Sequence, residues 1–278
     1  MVGGAGGRQW RRAPRRSTAG AWVLVLLAAL GGLNGCRRQA EVVRLSVRGG
    51  PSLDALFSEL AAAYEADNPR VDLVLNFNCP PCILFREDHE AADIDVFASI
   101  GSFEIERLAQ AGKLTLVYER EAGRSPLCLA TSERVEAKVR SLADLHSPQV
   151  RRIGVGDPET VAVGFYAKQA LEKAGLWREI EERLVYSQSG CELLKWLGLG
   201  RDIDAAIVFS VCQRDGGGAV HSVAQFPADL IPPVPLLLGV SASSPHEAEA
   251  RRFVDFVCGP GGAQTLRAYH VLTTGAND

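Results

Sequence analysis

The sequence predicts an α/β fold of two lobes, each a mixed sheet flanked by helices, with a ligand cleft between them. Three observations carry that expectation. Apolar segments alternate between strand and helix periodicity, the alternation runs in two separate series, and the part after the N-terminal segment is about 240 residues, enough for two lobes with cores of their own. In the first series, residues 42–47 alternate as a strand and Gly49, Gly50 and Pro51 break it. Ser52 is placed to cap a helix over 53–67, in which Leu53, Leu56, Phe57, Leu60 and Tyr64 recur at helical spacing. Asn68 and Pro69 stop it, 71–77 is a second strand, 83–91 a helical stretch, 94–99 a third strand and 102–111 a helix. This order predicts a mainly parallel sheet. Ligands of such sheets bind at the carboxyl ends of the strands, where the following helices present bare N–H groups suited to an anion. The second series reads strand 152–156, helix 164–174, strand 184–187, helix 191–197 and strand 205–209. The chain is expected to cross near 125–129 and return near 231–238, giving lobe one 41–125 with 236–278 and lobe two 126–235.

The N-terminus reads as an export segment. Residues 1–20 carry Arg8, Arg11, Arg12, Arg15 and Arg16 with no acid, and 21–30 is an apolar run too short to span a bilayer but right for a signal core. The segment 1–35 ends in Leu33, Asn34, Gly35 and Cys36, which resembles the bacterial lipobox, in which the cysteine is lipidated after cleavage. The expected location is the cell envelope, in the periplasm or on the outer face of the membrane, with Cys36 as lipid anchor. An ordinary signal cleavage with an incidental cysteine is the alternative, and the paired arginines leave open the Sec or the twin-arginine route. Without residues 1–35 the formal charge goes from −3 to −8, since that segment holds five arginines and no acid. No basic or aromatic cluster suits nucleic acid, so that class is set aside.

Six cysteines remain after Cys36: Cys79, Cys82, Cys128, Cys191, Cys212 and Cys258. Cys79, Pro80, Pro81 and Cys82 form a C-P-P-C after the second strand, which can be a metal half-site, a redox dithiol or a disulfide loop. Cys128 and Cys258 lie in apolar surroundings and read as small buried hydrophobes or structural disulfide halves. His89 is two helical turns beyond Cys82, and His146, His221, His246 and His270 form no ligand pattern. Asp93 and Asp95 flank a strand start and read as a solvated edge. No Ser-His-Asp constellation or phosphate loop is present, which argues for binding and against an enzyme.

The stretch 156–177, GDPETVAVGFYAKQALEKAGLW, resembles the matching segment of periplasmic molybdate-binding proteins, the solute receptors of ABC-type importers. Residues 50–56, GPSLDAL, look like that family's first binding loop, 92–98, ADIDVFA, like its ADVF strand, and 256–262 like its late GP turn. The resemblance covers essentially the whole mature chain. It implies a two-lobed periplasmic-binding-protein fold of type II-like topology and a tetrahedral oxyanion held without a cationic side chain. It further implies a membrane permease and an ATPase as partners, a monomer, and no cofactor beyond the bound ligand.

Carried over residue by residue, the resemblance places Ser52 as an oxyanion-binding hydroxyl and Val163 with Gly164 as a backbone N–H site. The serine-rich second loop is replaced by Cys79 and Cys82 with two donor-less prolines between them, Gly190 and Cys191 follow Ser189 at the fourth contact, and Phe209 stands where the family has a tyrosine. Cys79, Cys82, Cys191 and Cys212 then fall on loops that the family folds toward one ligand, a candidate thiolate cage for a soft metal or metalloid. The alternative pairs Cys79 with Cys82 in a local disulfide and leaves Cys191 and Cys212 buried or joined. Three functions follow: an importer's receptor for a molybdate- or tungstate-type oxyanion, the same scaffold binding a thiophilic metal, or a periplasmic thiol-disulfide protein.

Overall fold

The computed structural model describes residues 42–77, 94–135, 138–200, 202–216 and 218–273. Cys36, Cys79, Cys82, His89, Asp93 and the helical stretch 83–91 lie outside the described residues. Strands β1 (Val43–Gly49), β2 (Val71–Asn76) and β3 (Val96–Ile100) pair in parallel around β1. The sheet is completed by β4 (Leu116–Ser125), which leads into β5 (Leu127–Ser132) of the second sheet, and by a strand that returns late in the chain. In the second sheet β6 (Ile153–Gly156) pairs in parallel with β7 (Leu184–Ser187) and β8 (Ala205–Phe209), while β5 is antiparallel to β8 and to β9 (Val220–Gln225). Strand β10 (Val234–Ser241) returns to the first sheet and runs antiparallel to β3 and β4. The two orders are β2-β1-β3-β10-β4 and β7-β6-β8-β5-β9.

Each sheet is therefore mixed: beside a parallel trio runs one reversed strand, β10 or β5, and an edge strand, β4 or β9, pairs antiparallel with it. The expectation of a mainly parallel sheet holds for the trio alone. Helices α1 (Asp54–Asp67) and α2 (Phe103–Gln110) follow β1 and β3. In the second half α3 (Ala162–Lys173) follows β6, with the short α4 (Trp177–Ile180) after it, and α5 (Gly190–Leu199) follows β7. Helices α6 (Glu247–Val257) and α7 (Pro260–Ala268) close the chain against the first sheet. Strands β3 and β8, central in their sheets, are buried along their whole length and so read as continuous apolar runs, whereas β1 alternates. Phe57 and Tyr64 of α1 meet Phe253 of α6 at centroid distances of 6.5 and 5.2 Å, fixing both helices on one face of the first sheet.

Two expectations are corrected here. Ser52 does not cap α1: it lies in a tight 3-10 turn, Pro51–Leu53, that the fixed φ of Pro51 favours, and the residue before α1 is Leu53, with no side-chain cap. Asp95 is not a solvated edge residue. It is 6% exposed. Its carboxylate accepts from the Ser46 N–H at 2.8 Å and from the Ser244 hydroxyl, while its backbone carbonyl accepts from the Ser241 N–H at 3.0 Å. One side chain thus joins β1, the start of β3 and the turn after β10.

Where the chain passes between sheets, Ser125 and Ser210 hydroxyls lie 3.0 Å apart and Ser210 donates to the His270 carbonyl at 2.9 Å. Cys128 is fully buried on β5, as its apolar surroundings indicated, and Cys258 ends α6 with its thiol pushed up to about 11 by burial.

Removing the Asp95 carboxylate would leave a buried backbone N–H and a hydroxyl without their acceptor, which typically costs about 1–3 kcal/mol. Asp95→Ala is expected to lower the melting temperature by roughly 2–12 °C in a protein of this size, read by a thermal melt. An unchanged melt would show that the three-way tie carries no stability.

Candidate functional site

The order of the strands decides where the site lies. The helices or turns that follow β1, β3, β6, β7 and β8 start at the same end of their sheets, so the beginnings of α1, α2, α3 and α5 converge on one cleft between the sheets. Its walls are Gly50 to Leu53 before α1, Ile100 and Glu104 around the start of α2, Val161 to Val163 at the start of α3, Gln188 to Gly190 at the start of α5, and Phe209 at the end of β8. The space between these walls, counted out to open solvent, is about 340 Å³. Among the described residues, no lysine, arginine or histidine lines it.

Helix α3 is seated by a backbone contact. A Cβ on Gly164 would stand 2.2 Å from the Gly156 carbonyl oxygen, so only two glycines let the helix start this close to the end of β6. Val161 precedes the helix in an extended conformation with no side-chain cap, leaving first-turn N–H groups aimed at the cleft. The Gly164 N–H itself donates to the Val161 carbonyl at 3.1 Å, and Gly164 is not among the lining residues. Helix α5 is capped by Ser189, whose hydroxyl accepts from the Cys191 N–H at 3.2 Å. The Ser187 hydroxyl holds that loop by donating to the Glu192 carboxylate at 2.6 Å.

Of the residues expected at the site, Ser52, Val163, Gly190 and Phe209 line the cleft together. A Cβ on Gly190 would lie 3.5 Å from the Ser52 Oγ, so that hydroxyl reaches across from the first sheet to the start of α5. The same Cβ would be 3.1 Å from the Cys212 Sγ, which puts Cys212 behind Gly190, fully buried and outside the lining. Cys191 opens on a neighbouring groove with Pro51, Phe77 and Trp196, and its thiol donates to the Pro51 carbonyl at 3.7 Å. Among the described residues, no group of three or more histidines, cysteines or acids is placed to hold a metal ion.

Sequence reasoning missed Glu104. It is 7% exposed and is the one ionisable side chain among the described lining residues. Its carboxyl accepts from the Ser99 hydroxyl at 3.0 Å, on its own side of the cleft, and from the Ala162 N–H at the start of α3, on the other side. Burial pushes the group up to about 7, while the bonds from Ser99 and Ala162 pull it part of the way back. Nearby contacts hold the two sides together: Phe103 and Phe165 stack at 4.6 Å, and the Ser102 N–H donates to the Tyr166 hydroxyl oxygen at 3.2 Å. Arg107 lies over the Phe103 ring and donates to the Glu159 carbonyl.

Two mixed α/β sheets facing each other across a cleft ringed by helix starts define the class of two-lobed solute receptors. The chain belongs to the family of bacterial extracellular solute-binding proteins, whose model matches residues 45–271. It is 32% identical to the molybdate-binding protein ModA of Escherichia coli over 83% of this chain and 89% of that protein. It is 23% identical to YvgL of Bacillus subtilis, whose name describes a candidate ABC transporter substrate-binding lipoprotein, over 77% of this chain and 81% of that one. The periplasmic molybdate-binding protein of Azotobacter vinelandii shares the fold, with a TM-score of 0.67 at 18% identity over 82% of this chain and 98% of that one. The periplasmic-binding-protein fold and the molybdate-type resemblance expected from the sequence are thereby shown.

The state of Glu104 has a consequence for stability. Its folded pKa lies above its unfolded one, so between about 4.5 and 7 the native state binds more protons than the unfolded state. Stability from this group is complete at low pH and is lost as pH rises through about 7, by about 3 kcal/mol in total. Glu104→Gln is expected to flatten the corresponding slope in denaturant-melt stability between about pH 4.5 and 7. A slope equal in wild type and variant would show that the carboxyl is not held in its neutral form by the fold.

Proposed function

We propose that this protein captures a small inorganic oxyanion in the cleft and delivers it to the permease and ATPase of an ABC importer. The observation that carries the reading is the ring of helix starts, three of the four without a side-chain cap, around a small cleft with no cationic side chain among its described lining residues. Such a frame attracts a negative charge through backbone N–H groups and helix dipoles and adapts to the oxygens of a compact anion. Ser52 supplies a hydroxyl from the first sheet, and the starts of α3 and α5 supply N–H groups from the second. The relatives support the molybdate and tungstate type of ligand, since the matched proteins of E. coli and A. vinelandii carry molybdate binding in their names.

Capture works by binding between the lobes and holding them together, and the permease then reads the joined form. The protein acts by binding alone and works as a monomer. It is exported and held at the envelope through Cys36, a reading supported by the lipobox-like sequence and by the lipoprotein description of YvgL. Of the four cysteines of a soft-metal cage, Cys191 and Cys212 are not among the lining residues of the cleft, and Cys79 and Cys82 lie outside the described residues.

A thermal-shift screen with millimolar molybdate, tungstate, sulfate and phosphate tests the reading. A ligand at one hundred times its dissociation constant stabilises the native state by about 2.7 kcal/mol, which is visible as a shift of several degrees. At least one anion is expected to give that shift, and Ser52→Ala is expected to weaken it about tenfold through loss of one hydrogen bond to a charged group. A melt that responds to arsenite or cuprous ion and to none of the four anions would reject the oxyanion reading.

A further inference from the structure

The cleft that attracts an anion already contains a carboxyl, and the two facts have to be reconciled. Glu104 faces the same space as Ser52 and Gly190, and its oxygens lie 3.4 and 3.5 Å from where a Cβ on Gly50 would stand. It takes the Ala162 N–H, one of the donors an oxyanion at the start of α3 would use. Among the described residues, no basic side chain in the lining neutralises it. An ionised carboxylate and a bare dianion side by side in this space would repel each other, and a single proton between them turns that repulsion into a hydrogen bond.

We propose that Glu104 is the specificity-determining residue of the cleft, and that the oxyanion is held with one proton shared between a ligand oxygen and the Glu104 carboxyl. This rests on the oxyanion reading and narrows it. An oxyanion that carries its own proton at neutral pH, such as inorganic phosphate, brings the proton with it. One that carries none, such as molybdate, binds only as Glu104 takes a proton from solvent. The site therefore discriminates by the protonation of its ligand, which a ring of N–H groups alone cannot do, since N–H groups donate to every oxygen alike.

Among the described residues, the neighbouring charged and titratable groups stand off the cleft or are engaged elsewhere. On its own helix, Arg107 is engaged with Phe103 and the Glu159 carbonyl. Glu106 stands beside it on α2 and Asp54 at the start of α1, and neither lines the cleft. Tyr166 on α3 is bonded to Ser102, Glu192 on α5 to Ser187, and Arg48 on β1 to Ser46. Asp157, before α3, is bonded by the Glu159 N–H and Gln188. In the turn after β8, Arg214 pairs with Glu59, and Cys212 lies behind Gly190. The shift of Glu104 arises from burial and from its two hydrogen bonds, with no charged side chain among its causes.

Titration calorimetry of the mature protein with sodium molybdate and with inorganic phosphate, at pH 6.5 to 9 and in two buffers of different ionisation enthalpy, tests this. Wild type is expected to take up about one proton per molybdate above pH 8, with affinity falling about tenfold per pH unit there, and to take up none with phosphate. In Glu104→Gln, whose amide donates at every pH, molybdate affinity is expected to be flat across the range. Molybdate binding to wild type that is flat with pH and takes up no proton would overturn the shared proton while leaving the oxyanion reading intact. No heat with either anion at any pH would overturn both. The proton count on wild type needs no variant, so a poorly folding Glu104→Gln would not remove the test.

Discussion

The approach of Gly164 to the Gly156 carbonyl is the contact on which the site depends. With a side chain at either position the start of α3 would be pushed off the end of β6, and the N–H groups before Gly164 would no longer face the cleft. Everything else at the site is arranged relative to that helix start: Glu104 reaches its Ala162 N–H, Phe103 stacks on its Phe165, and the Ser102 N–H finds its Tyr166 hydroxyl. The close packing of two backbones thus fixes the position of a charge-attracting end without a charged residue.

The magnitudes show why a single acid matters in this cleft. A helix end favours a negative charge by about 0.3–1 kcal/mol at an exposed position and up to about 2 when partly buried. Two like charges 4 Å apart in surroundings of effective dielectric 20 repel by about 4 kcal/mol. One ionised carboxylate therefore offsets what two helix starts contribute, and its protonation decides the sign of the balance. Burial of Glu104 among Ser99, Ile100 and the start of α3 raises its pKa to where that decision falls near neutral pH.

Much of the frame was legible in the chain. The period-2 and period-3.6 segments located β1, β2, β3, β6, β7, β8 and the helices between them, because each is amphipathic or wholly apolar over its own length. Strand β4 was missed because Tyr118, Glu119, Arg120 and Glu121 lie on a half-exposed stretch whose charges mask alternation. Strands β5 and β10 were read as crossings because they lead into and out of the second sheet. At the site, Ser52, Val163, Gly190 and Phe209 were found through family likeness, whereas Glu104 was invisible. In Phe103, Glu104, Ile105, Glu106 the local pattern places Glu104 on a solvated face, and its burial comes from α3, some sixty residues further on. Asp95 escaped for the same reason, since the turn that buries it follows β10.

The hydroxyl chain from Ser125 through Ser210 to His270 gathers three passages of the polypeptide at one point. The last of them is the chain end: Leu272 bridges to Arg124, and Tyr269 meets Arg214 from the second lobe's side at 4.4 Å. The carboxyl-terminal residues are thus a third cord between the sheets, beside the two strand crossings. A tag or reporter fused close behind residue 273 pulls on that cord, so a sensor built from this protein is better labelled on the outer edges β2 or β7, far from the point where the three passages meet.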